Sequence, residues 1–600
     1  MLARVVVSPE TGFSWVIHGG YWFVLGSLVF FLGALVPLVR ARWARWKFER
    51  FDAGVLLAIV ACVSVWTTQD RPGFKILADE VLLLGTSMSL HYDRAAAYPV
   101  RATDTQGPFL ILDYALDKRP LLFPFLTATV HDLTGYRPEN AFYLNIGLAG
   151  LFLGVAYLLG VNAGRGRWPG LFVLLLFAGL PLLAQQATGG GFELLNLLLI
   201  ATLGLLMTWY LEEPDERRLQ AMVYGGVLLA STRYESILFL IPMALTAVWG
   251  WWRSGRVMLS WPTILSPLFL LPVLLQNQVF STNKGSWELA GVAGATRPFG
   301  PEYFADNLGH ALAFFFDLGP YQPSSPLFAA LGLLALPIFA LWVVRVFRAP
   351  GDHGPRQTAA ALLGLGLGAV TLVHLFYFWG RFDDPVIHRL SLPLHLLLAL
   401  ALVVVGARLA FSDRVWKALA LVALGGLLFH GLPVMAKQAY AHAYSPGVEM
   451  ELRREFISLL PERDYLFIDN DSVFWITQKI PATPAGQAGA RKDGLSYHLR
   501  NHSFSQMYVF QSILVDDQTG ARRVDPVDDL GPDFELETVL ERRVGTLLFA
   551  RISRVVAIRH EGREVARSTT AVPVKVERRS PEEIEKARAI YMENWIKQLP

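Results

Sequence analysis

Long apolar runs recur along most of the chain, and short connections rich in charged residues, glycine or proline separate them. A helix needs about 20 apolar residues to cross the hydrocarbon core of a bilayer, and most of these runs reach or approach that length. The pattern predicts twelve transmembrane helices, near residues 14–39, 52–67, 141–161, 169–187, 192–211, 219–232, 235–252, 258–277, 326–346, 358–378, 389–408 and 415–436. The sixth run is short, which leaves open that the sixth and seventh form one broken unit.

Lys and Arg are concentrated in alternate connections between these predicted helices. Cytoplasmic loops of membrane proteins carry such an excess, so these connections are predicted to be cytoplasmic. Their basic residues are Arg40, Arg42, Arg45, Lys47, Arg50, Arg165, Arg167, Arg217, Arg218, Arg253, Arg256, Arg345, Arg348, Arg356, Arg408, Arg414 and Lys417. The N-terminus, the loops 68–140, 278–325 and 379–388, and the chain after Lys437 are therefore predicted to lie outside.

The composition becomes that of a soluble protein after Ser445-Pro446. Segments 465–468, 507–510 and 546–549 are rich in aromatic and β-branched residues and are bounded by turn residues, which predicts strands. Ser580-Pro581 predicts the start of a final helix, with Ser as the N-cap and Pro at the first position. Residues 446–600 are predicted to form a small extracytoplasmic α/β domain.

The amino-acid composition excludes several classes of protein. Of the 600 residues 53% are hydrophobic and 17% are charged, whereas soluble domains carry about 25% charged residues. A net charge of +3 is too small to indicate a nucleic-acid partner. Cys62 is the only cysteine, which excludes an intramolecular disulfide or a cysteine metal cluster. The first apolar run is too long for a cleavable signal peptide, so none is expected.

Asp79 and Glu80 form a carboxylate pair at the start of an apolar stretch in the first outer loop. A carboxylate at the bilayer edge can hold an acceptor hydroxyl and remove its proton. The same two residues are also typical of a helix start, where one carboxylate caps the helix and the other interacts with its dipole. The pattern does not decide between these interpretations.

Lys118, Arg119 and Arg137 are outer-side cations beside short apolar stretches. They could bind a phosphate at headgroup depth, with Arg preferred for its bidentate geometry, or simply extend to lipid headgroups. Glu193 follows the glycines 189–191 at another outer helix start. It is either a second acid of the same cavity or a first-turn carboxylate, and the helix dipole alone explains it.

Arg233 and Glu235 lie between two apolar stretches on the predicted outer side, where positive residues are otherwise sparse. Residues two apart do not face each other on a helix, so a simple local pair is not expected. His388 and Arg389 open another predicted helix from outside. A cation at a helix N-terminus opposes the dipole, so Arg389 is expected to have an anionic partner and a function.

Other polar groups give weaker signals. Asp469-Asn470-Asp471 follows a predicted strand and imitates the metal-binding triplet of nucleotide-sugar transferases, but a turn is the favoured interpretation. His374, His388 and His395 are spaced by helical multiples, and the pattern favours core or interface residues over ligands. No metal site is expected.

Several of these segments, in this order, resemble the C-type glycosyltransferases that use lipid-phosphate sugars, namely protein O-mannosyltransferases and bacterial aminoarabinose transferases. The resemblance covers about residues 52–436. It is carried by Asp79-Glu80 with Leu82-Leu83-Leu84, Lys118-Arg119-Pro120-Leu121, Gly135, Asn145, Gly191-Phe192-Glu193-Leu194-Leu195, Ser231-Thr232-Arg233-Tyr234-Glu235 and His388-Arg389-Leu390-Ser391-Leu392-Pro393. One family proline is missing after Pro120, and Leu390 stands where the family often has tyrosine.

The resemblance implies a domain organisation. Residues 1–51 would be an additional N-terminal transmembrane helix with a basic cytoplasmic loop. Residues 52–436 would form the transmembrane catalytic domain with its outer loop 68–140. Residues 446–600, which the resemblance does not cover, would be the soluble extracytoplasmic α/β domain. The fold class is therefore an all-α polytopic membrane protein of the C-type glycosyltransferase kind, with about twelve helices and a C-terminal α/β domain.

The resemblance also implies a reaction, the inverting transfer of a sugar from a polyprenyl phosphate to an acceptor hydroxyl. Asp79 would be the base, and Glu80 would position it or bind sugar. The donor phosphate would be bound by Lys118, Arg119, Arg233 and Arg389, with Glu193, Glu235 and His388 as secondary cavity residues. No metal or cofactor is implied.

The implied partners are the lipid-linked sugar, a glycan, lipid or protein acceptor, and membrane lipids. The implied location is the bacterial inner membrane, with the site on the periplasmic side. Two other classes remain open, a transporter or flippase of lipid-linked sugars and a polymerase or ligase. Transporters often have two similar halves, which this sequence lacks, and polymerases usually carry their large outer loop late in the chain. The transferase interpretation requires Asp79, Arg119 and Arg389 to converge on one outward cavity.

Overall fold

The computed structural model describes residues 7–105, 107–282, 297–317, 319, 322–441 and 445–569, together with residues 582, 586 and 589. The final helix predicted from Ser580 falls after residue 569, outside the continuously described chain. Two compact units are formed. The first comprises the described residues of Met1–Lys75, Arg94–Ala96 and Lys118–Ala441, and the second those of Ile76–Asp93, Ala97–Asp117 and His442–Pro600.

The first unit is built from helices. Its α-helices are Pro9–Arg45, Arg50–Gln69, Leu122–Thr134, Asn140–Gly164, Arg167–Ala178, Pro181–Thr188, Glu193–Glu212, Glu216–Ala230, Leu240–Ser254, Trp261–Leu265, Leu271–Thr282, Phe304–Phe316, Pro326–Arg348, Pro355–Leu375, Leu392–Arg408, Asp413–Gly426 and Leu432–Ala441. Short 3₁₀ turns at Tyr234–Phe239, Ser266–Leu270 and His388–Ser391 extend three of them.

Ten helical segments of the described chain are long and apolar enough to cross a bilayer. Arg167–Ala178 and Pro181–Thr188, bent by 71°, make an eleventh if they count as one span. The predicted sixth span is the 15-residue helix Glu216–Ala230, whose length of about 22 Å is less than the bilayer core of about 30 Å. The polytopic helical architecture is confirmed, whereas the number of twelve spans is not.

The sixth and seventh runs are two separate helices that form a hairpin. Glu216–Ala230 ends at Ser231, and Leu240–Ser254 returns alongside it. A Cβ at Gly226 would lie 2.4 Å from Met243 Sδ, so the two helices lie close together at this glycine. The two runs are therefore not one broken unit.

Three of the basic connections meet at one end of the first unit. Glu212, at the end of its helix, accepts a hydrogen bond from Arg356 Nε at 2.9 Å and also pairs with Arg42. Arg45 lies 3.6 Å from Glu213. This gathering agrees with the predicted alternation of loops, and which side of the membrane this end faces stays a prediction.

The second unit is organised around one nine-stranded sheet. The strands are β1 Tyr98–Thr103, β2 Leu110–Ala115, β3 Leu466–Ile468, β4 Ala482–Thr483, β5 Met507–Val515, β6 Arg522–Val524, β7 Phe534–Arg543, β8 Leu548–His560 and β9 Arg563–Arg567. Their order in the sheet is β2-β1-β4-β3-β5-β8-β7, with β6 paired to β5 and β9 to β8. β3 is parallel to β4 and to β5, and the other pairs are antiparallel.

Two strands of this sheet come from the first outer loop. β1 joins the later strands through the pairing of Ala102 with Ala482, and Ser472 Oγ donates to Val100 O at 2.8 Å. The α-helices of this unit are Leu77–Tyr92, Ser445–Leu459, Ser472–Thr477, Ala485–Ala488 and Lys492–Arg500. The C-terminal α/β character is confirmed, and the unit also contains part of the loop 68–140.

Candidate functional site

A buried asparagine shapes the loop that leads to Glu193. Asn145 Nδ2 donates hydrogen bonds of 2.8 Å to the carbonyl oxygens of Gly189 and Gly191. Thr188 Oγ1, one residue earlier, donates to Asp70 Oδ2 at 3.0 Å. A glycine-rich segment would otherwise sample many conformations, so these contacts hold the start of the helix Glu193–Glu212 in place.

Glu193 is the centre of a buried cluster of charges. Its Oε1 accepts a hydrogen bond from Arg233 Nη1 at 2.9 Å and another from Arg389 Nη1 at 2.8 Å. All three side chains are less than a tenth exposed. One carboxylate oxygen therefore lies between two guanidinium groups, which brings two positive charges together away from water.

Glu235 extends this cluster. Arg233 Nε donates to Glu235 Oε1, and His374 Nε2 lies 3.6 Å from the same oxygen. The guanidinium of Arg233 also lies 4.9 Å from the centre of the Phe192 ring. Helical spacing predicted that Arg233 and Glu235 do not form a local pair, and this prediction is wrong. Arg233 has extended backbone angles and is not part of the helix, so helical spacing does not apply to it.

Arg389 is held by the turn that precedes its helix. It lies in the 3₁₀ segment His388–Ser391, and its Nε donates to Val386 O at 3.0 Å. His388 pairs through Nδ1 with Phe382 O at 2.8 Å and stacks on Phe314 at 5.2 Å. His388 therefore fixes the segment that carries Arg389.

The connection between His374 and Arg389 is itself tightly packed. Asn307 Nδ2 donates to the carbonyl oxygens of Leu375 and Tyr377 at 2.9 and 2.7 Å. A Cβ at Gly380 would lie 2.1 Å from His374 O, so the chain passes where no side chain fits. This packing places His374 and Arg389 beside the carboxylates of Glu235 and Glu193.

Two carboxylate oxygens in the described cluster lack a hydrogen-bond donor. Glu193 Oε2 and Glu235 Oε2 are buried and have no hydrogen-bond partner among the described residues. Buried carboxylate oxygens without donors are costly, and the hydroxyl groups of a sugar are donors of the right kind. The cluster thus combines cations suited to an oxyanion with acceptors suited to hydroxyls.

The residues of the first outer loop divide between the two units. Asp79 and Glu80 belong to the second unit, in the first turn of the helix Leu77–Tyr92. Glu80 is buried, and its Oε2 accepts a hydrogen bond from Ile76 N at 3.2 Å, the contact of a residue that closes a helix start. Asp79 is half-buried.

Lys118 and Arg119 belong to the first unit. Lys118 is exposed and Arg119 is buried, and the backbone oxygen of Arg119 accepts from Gln276 Nε2 at 3.2 Å. Convergence of Asp79 with Arg119 and Arg389 stays a prediction.

Sequence reasoning missed the role of His374. It pairs with Glu235, while His395 lies among Phe314, Phe315 and Phe328 and its Nδ1 pairs with Ser391 O at 2.9 Å. The helical spacing of the histidines carried no information, because what places His374 is the approach of two separate helices. The described residues contain no group of three or more His, Cys, Asp or Glu arranged to hold a metal ion.

Neither a protein-family model nor a curated protein matches this chain. Solved structures are similar to it. ArnT, the aminoarabinose transferase of Cupriavidus metallidurans, bound to undecaprenyl phosphate, is 14% identical with a TM-score of 0.49, and the match covers 84% of this chain and 98% of that one. Its apo structure gives 14% identity and a TM-score of 0.43 over the same shares of the two chains.

The oligosaccharyltransferase of Archaeoglobus fulgidus, tethered to an acceptor peptide containing the NVT sequon, is 12% identical with a TM-score of 0.38. That match covers 79% of this chain and 74% of the other. Both proteins are C-type glycosyltransferases, the class that the sequence motifs resemble.

Proposed function

We propose that this membrane protein transfers a sugar from a polyprenyl phosphate to an acceptor hydroxyl, on the outer face of the membrane. The observation that carries the proposal is the pair of buried arginines, Arg233 and Arg389, held 2.9 and 2.8 Å from one oxygen of Glu193. Two guanidinium groups fixed together in a dry place favour a group that gains negative charge. The leaving phosphate of a lipid-linked sugar is such a group.

The bonding changes follow from this assignment. The acceptor oxygen attacks the anomeric carbon from the face opposite the phosphate, and its proton passes to the carboxylate of Asp79. The bond between the anomeric carbon and the phosphate oxygen breaks, and its electron pair stays on the phosphate, next to Arg233 and Arg389. The configuration at the anomeric carbon is inverted.

The other residues have supporting roles in the proposal. Glu193 and Glu235 orient the arginines and offer their second oxygens to sugar hydroxyls. Glu80 closes the start of the helix that carries Asp79, and Lys118 and Arg119 attract the anionic donor. The two arginines supply the charge stabilisation, so the proposed reaction requires no divalent cation.

The proposal is tested by the lipid intermediates of cells that carry the wild-type chain, Arg389→Ala, or no chain. Loss of function should cause one polyprenyl-phosphate sugar to accumulate while one glycan of the envelope loses that sugar. Arg381→Ala is the matched control, since Arg381 is an arginine of the same connection that pairs with Asp306 at 2.9 Å on the surface. Unchanged lipid-linked sugars in the Arg389→Ala cells would contradict the proposal. Accumulation confined to the inner leaflet would identify a flippase instead.

A further inference from the structure

The second unit contains a pocket that the proposed reaction does not use. It lies between strands β1, β3 and β4 on one side and the helical segment 485–500 on the other. Counted together with its open mouth, the space measures about 550 Å³. All of its lining residues belong to this one unit, so the pocket is complete within it.

The polar part of the pocket lining is positively charged. Arg101, Arg491, Thr103, Thr483 and His498 line it, and no Asp or Glu is among its lining residues. Arg101 is buried and pairs through Nε with Asp113, which does not line the pocket. Burial lowers the pKa of His498 to about 4, so the charge of the pocket at neutral pH comes from the two arginines.

Two donors at the wall of this pocket have no protein acceptor. Thr483 is 8% exposed, and its Oγ1 has no hydrogen-bond partner among the described residues. The same holds for the buried Nη1 of Arg491. Buried polar groups are nearly always paired, and a guanidinium can only donate, so the missing partner of Arg491 is an acceptor.

The rest of the pocket lining is apolar. It consists of Leu112, Leu466, Leu495 and Phe504 together with alanines 482 and 488. These side chains offer no contact to a simple inorganic ion. A molecule with an oxyanion at one end and an apolar part behind it would contact both kinds of lining residue.

We propose that this pocket binds the phosphate or carboxylate group of a small amphipathic molecule, with Arg491 and Thr483 donating to the oxyanion and Arg101 providing a second positive charge. Its lining includes no residue of the Glu193 cluster, and its ligand binding does not depend on the transferase activity. Its occupant is a ligand of the soluble part of the protein.

The test uses the full-length protein in an uncharged detergent and hexyl phosphate, hexanoate and hexanol as probes. Calorimetric titration gives the affinities, and hydrogen exchange locates the protected segment. Hexyl phosphate or hexanoate should bind and protect residues 482–500, whereas hexanol should not. The tighter of the two anions identifies the headgroup. Equal binding of hexanol, or failure of both anions at millimolar concentration, would overturn the proposal.

Variants assign the binding to the pocket. Arg491→Gln should weaken binding by about tenfold or more, because it removes a charge-assisted hydrogen bond and a positive charge. Thr483→Val keeps the shape and removes an unpaired hydroxyl, so it should weaken binding without loss of folded protein. Arg500→Gln is the matched control, since Arg500 is an exposed arginine at the end of the same helical segment and does not line the pocket. Equal affinities of Arg491→Gln and Arg500→Gln would contradict the assignment.

Discussion

Glu193 holds two like charges close together that would otherwise repel each other. Arg233 and Arg389 are each less than a tenth exposed, and both donate to the same oxygen. Removing one member of a buried ion pair typically costs about 3–5 kcal/mol, because a charge is left unpaired. Substitution of Glu193 therefore tests folding as much as chemistry, and the informative substitutions are those that keep a charge in place.

Arg389→Lys is such a substitution. Lysine keeps the positive charge but lacks the planar fork, so it cannot contact Glu193 and a phosphate with the same geometry. We expect turnover to fall by more than about tenfold, with the protein still folded. A transfer assay on detergent-extracted protein measures this, and Arg381→Lys is the control. Donor binding that is unchanged in Arg389→Ala would exclude the phosphate role.

The substitution Asp79→Asn tests whether Asp79 acts as the catalytic base. Asparagine keeps the shape of aspartate and removes its basicity, so turnover should fall by about 10²–10⁴ while donor binding remains. Glu80→Gln should cost less and act mainly on the apparent substrate affinity, because the glutamine oxygen can still accept from Ile76 N. Steady-state kinetics of the two variants separate these effects.

A helix-capping role for Asp79 gives the opposite result. Asparagine caps a helix as well as aspartate does, so turnover would barely change. Near-wild-type transfer by Asp79→Asn would thus return the carboxylate pair to a structural role, and it would direct attention to Glu193.

The sequence predicted which single residues belong to the site better than it predicted which residues they bind. The position of Arg389 at an outer helix start required an anion, and the structure supplies Glu193. In the sequence Glu193 looked like an ordinary first-turn carboxylate, because no local feature distinguishes such a residue from one that binds buried arginines. Its second contact comes from a residue 196 positions away, and no periodicity reports such a distance.

At the scale of elements, the apolar runs predicted the helices because each span follows from length and hydropathy alone. The bend of 71° between Ala178 and Pro181 and the 3₁₀ turns were not predicted, since they depend on packing. β1 and β2 were also missed as strands. β1 and β2 pair with each other, whereas the second neighbour of β1 is β4, which has only two residues and lies far along the chain. The pairing with β4 therefore has no local signal.

The buried charged residues at the end of strand β3 predict that the stability of the folded protein depends on pH. Asp469 is buried there, with Trp475 Nε1 at 2.6 Å and Arg453 Nη2 at 3.2 Å, and Glu449 and Asp471 also face Arg453. Burial raises the pKa of Asp469 to about 7, although Arg453 opposes the shift. In the unfolded chain the pKa is about 3.9. Between these values the folded state holds a proton that the unfolded state lacks, so this stabilising contribution falls as the pH rises from about 4 to 7.

Asp469→Asn removes this titration. We expect the melting temperature of the wild-type protein, relative to Asp469→Asn, to be higher at about pH 5 than at about pH 8. The comparison of two variants is needed because His498, with its lowered pKa, contributes the opposite slope in acid. Asp517→Asn, at an exposed turn, is the control. A constant difference between wild type and Asp469→Asn across this range would contradict the assignment.

At the scale of the whole molecule, the alternating basic loops predict the topology. Reporter fusions at residues 44, 215 and 440 should report inside, inside and outside. Residues 44 and 215 should agree because Arg42 and Glu212 pair at one end of the first unit. A cytoplasmic result at 440 would contradict the predicted orientation and would also move the proposed site to the other side of the membrane.

The strands of the sheet come from distant parts of the chain, so they are synthesised at different times. Residue 102 pairs with residue 482, so at about 5–20 residues per second the hairpin of β1 and β2 waits at least about 20 seconds for its neighbour. A two-stranded hairpin is marginally stable alone, and an open edge invites wrong pairing. Every helix between Leu122 and Ala441 is made during that interval. A chain that stops before residue 482 leaves β1 paired with β2 but without β4, so the last fifth of the chain decides when the strands of the first outer loop gain their second neighbour.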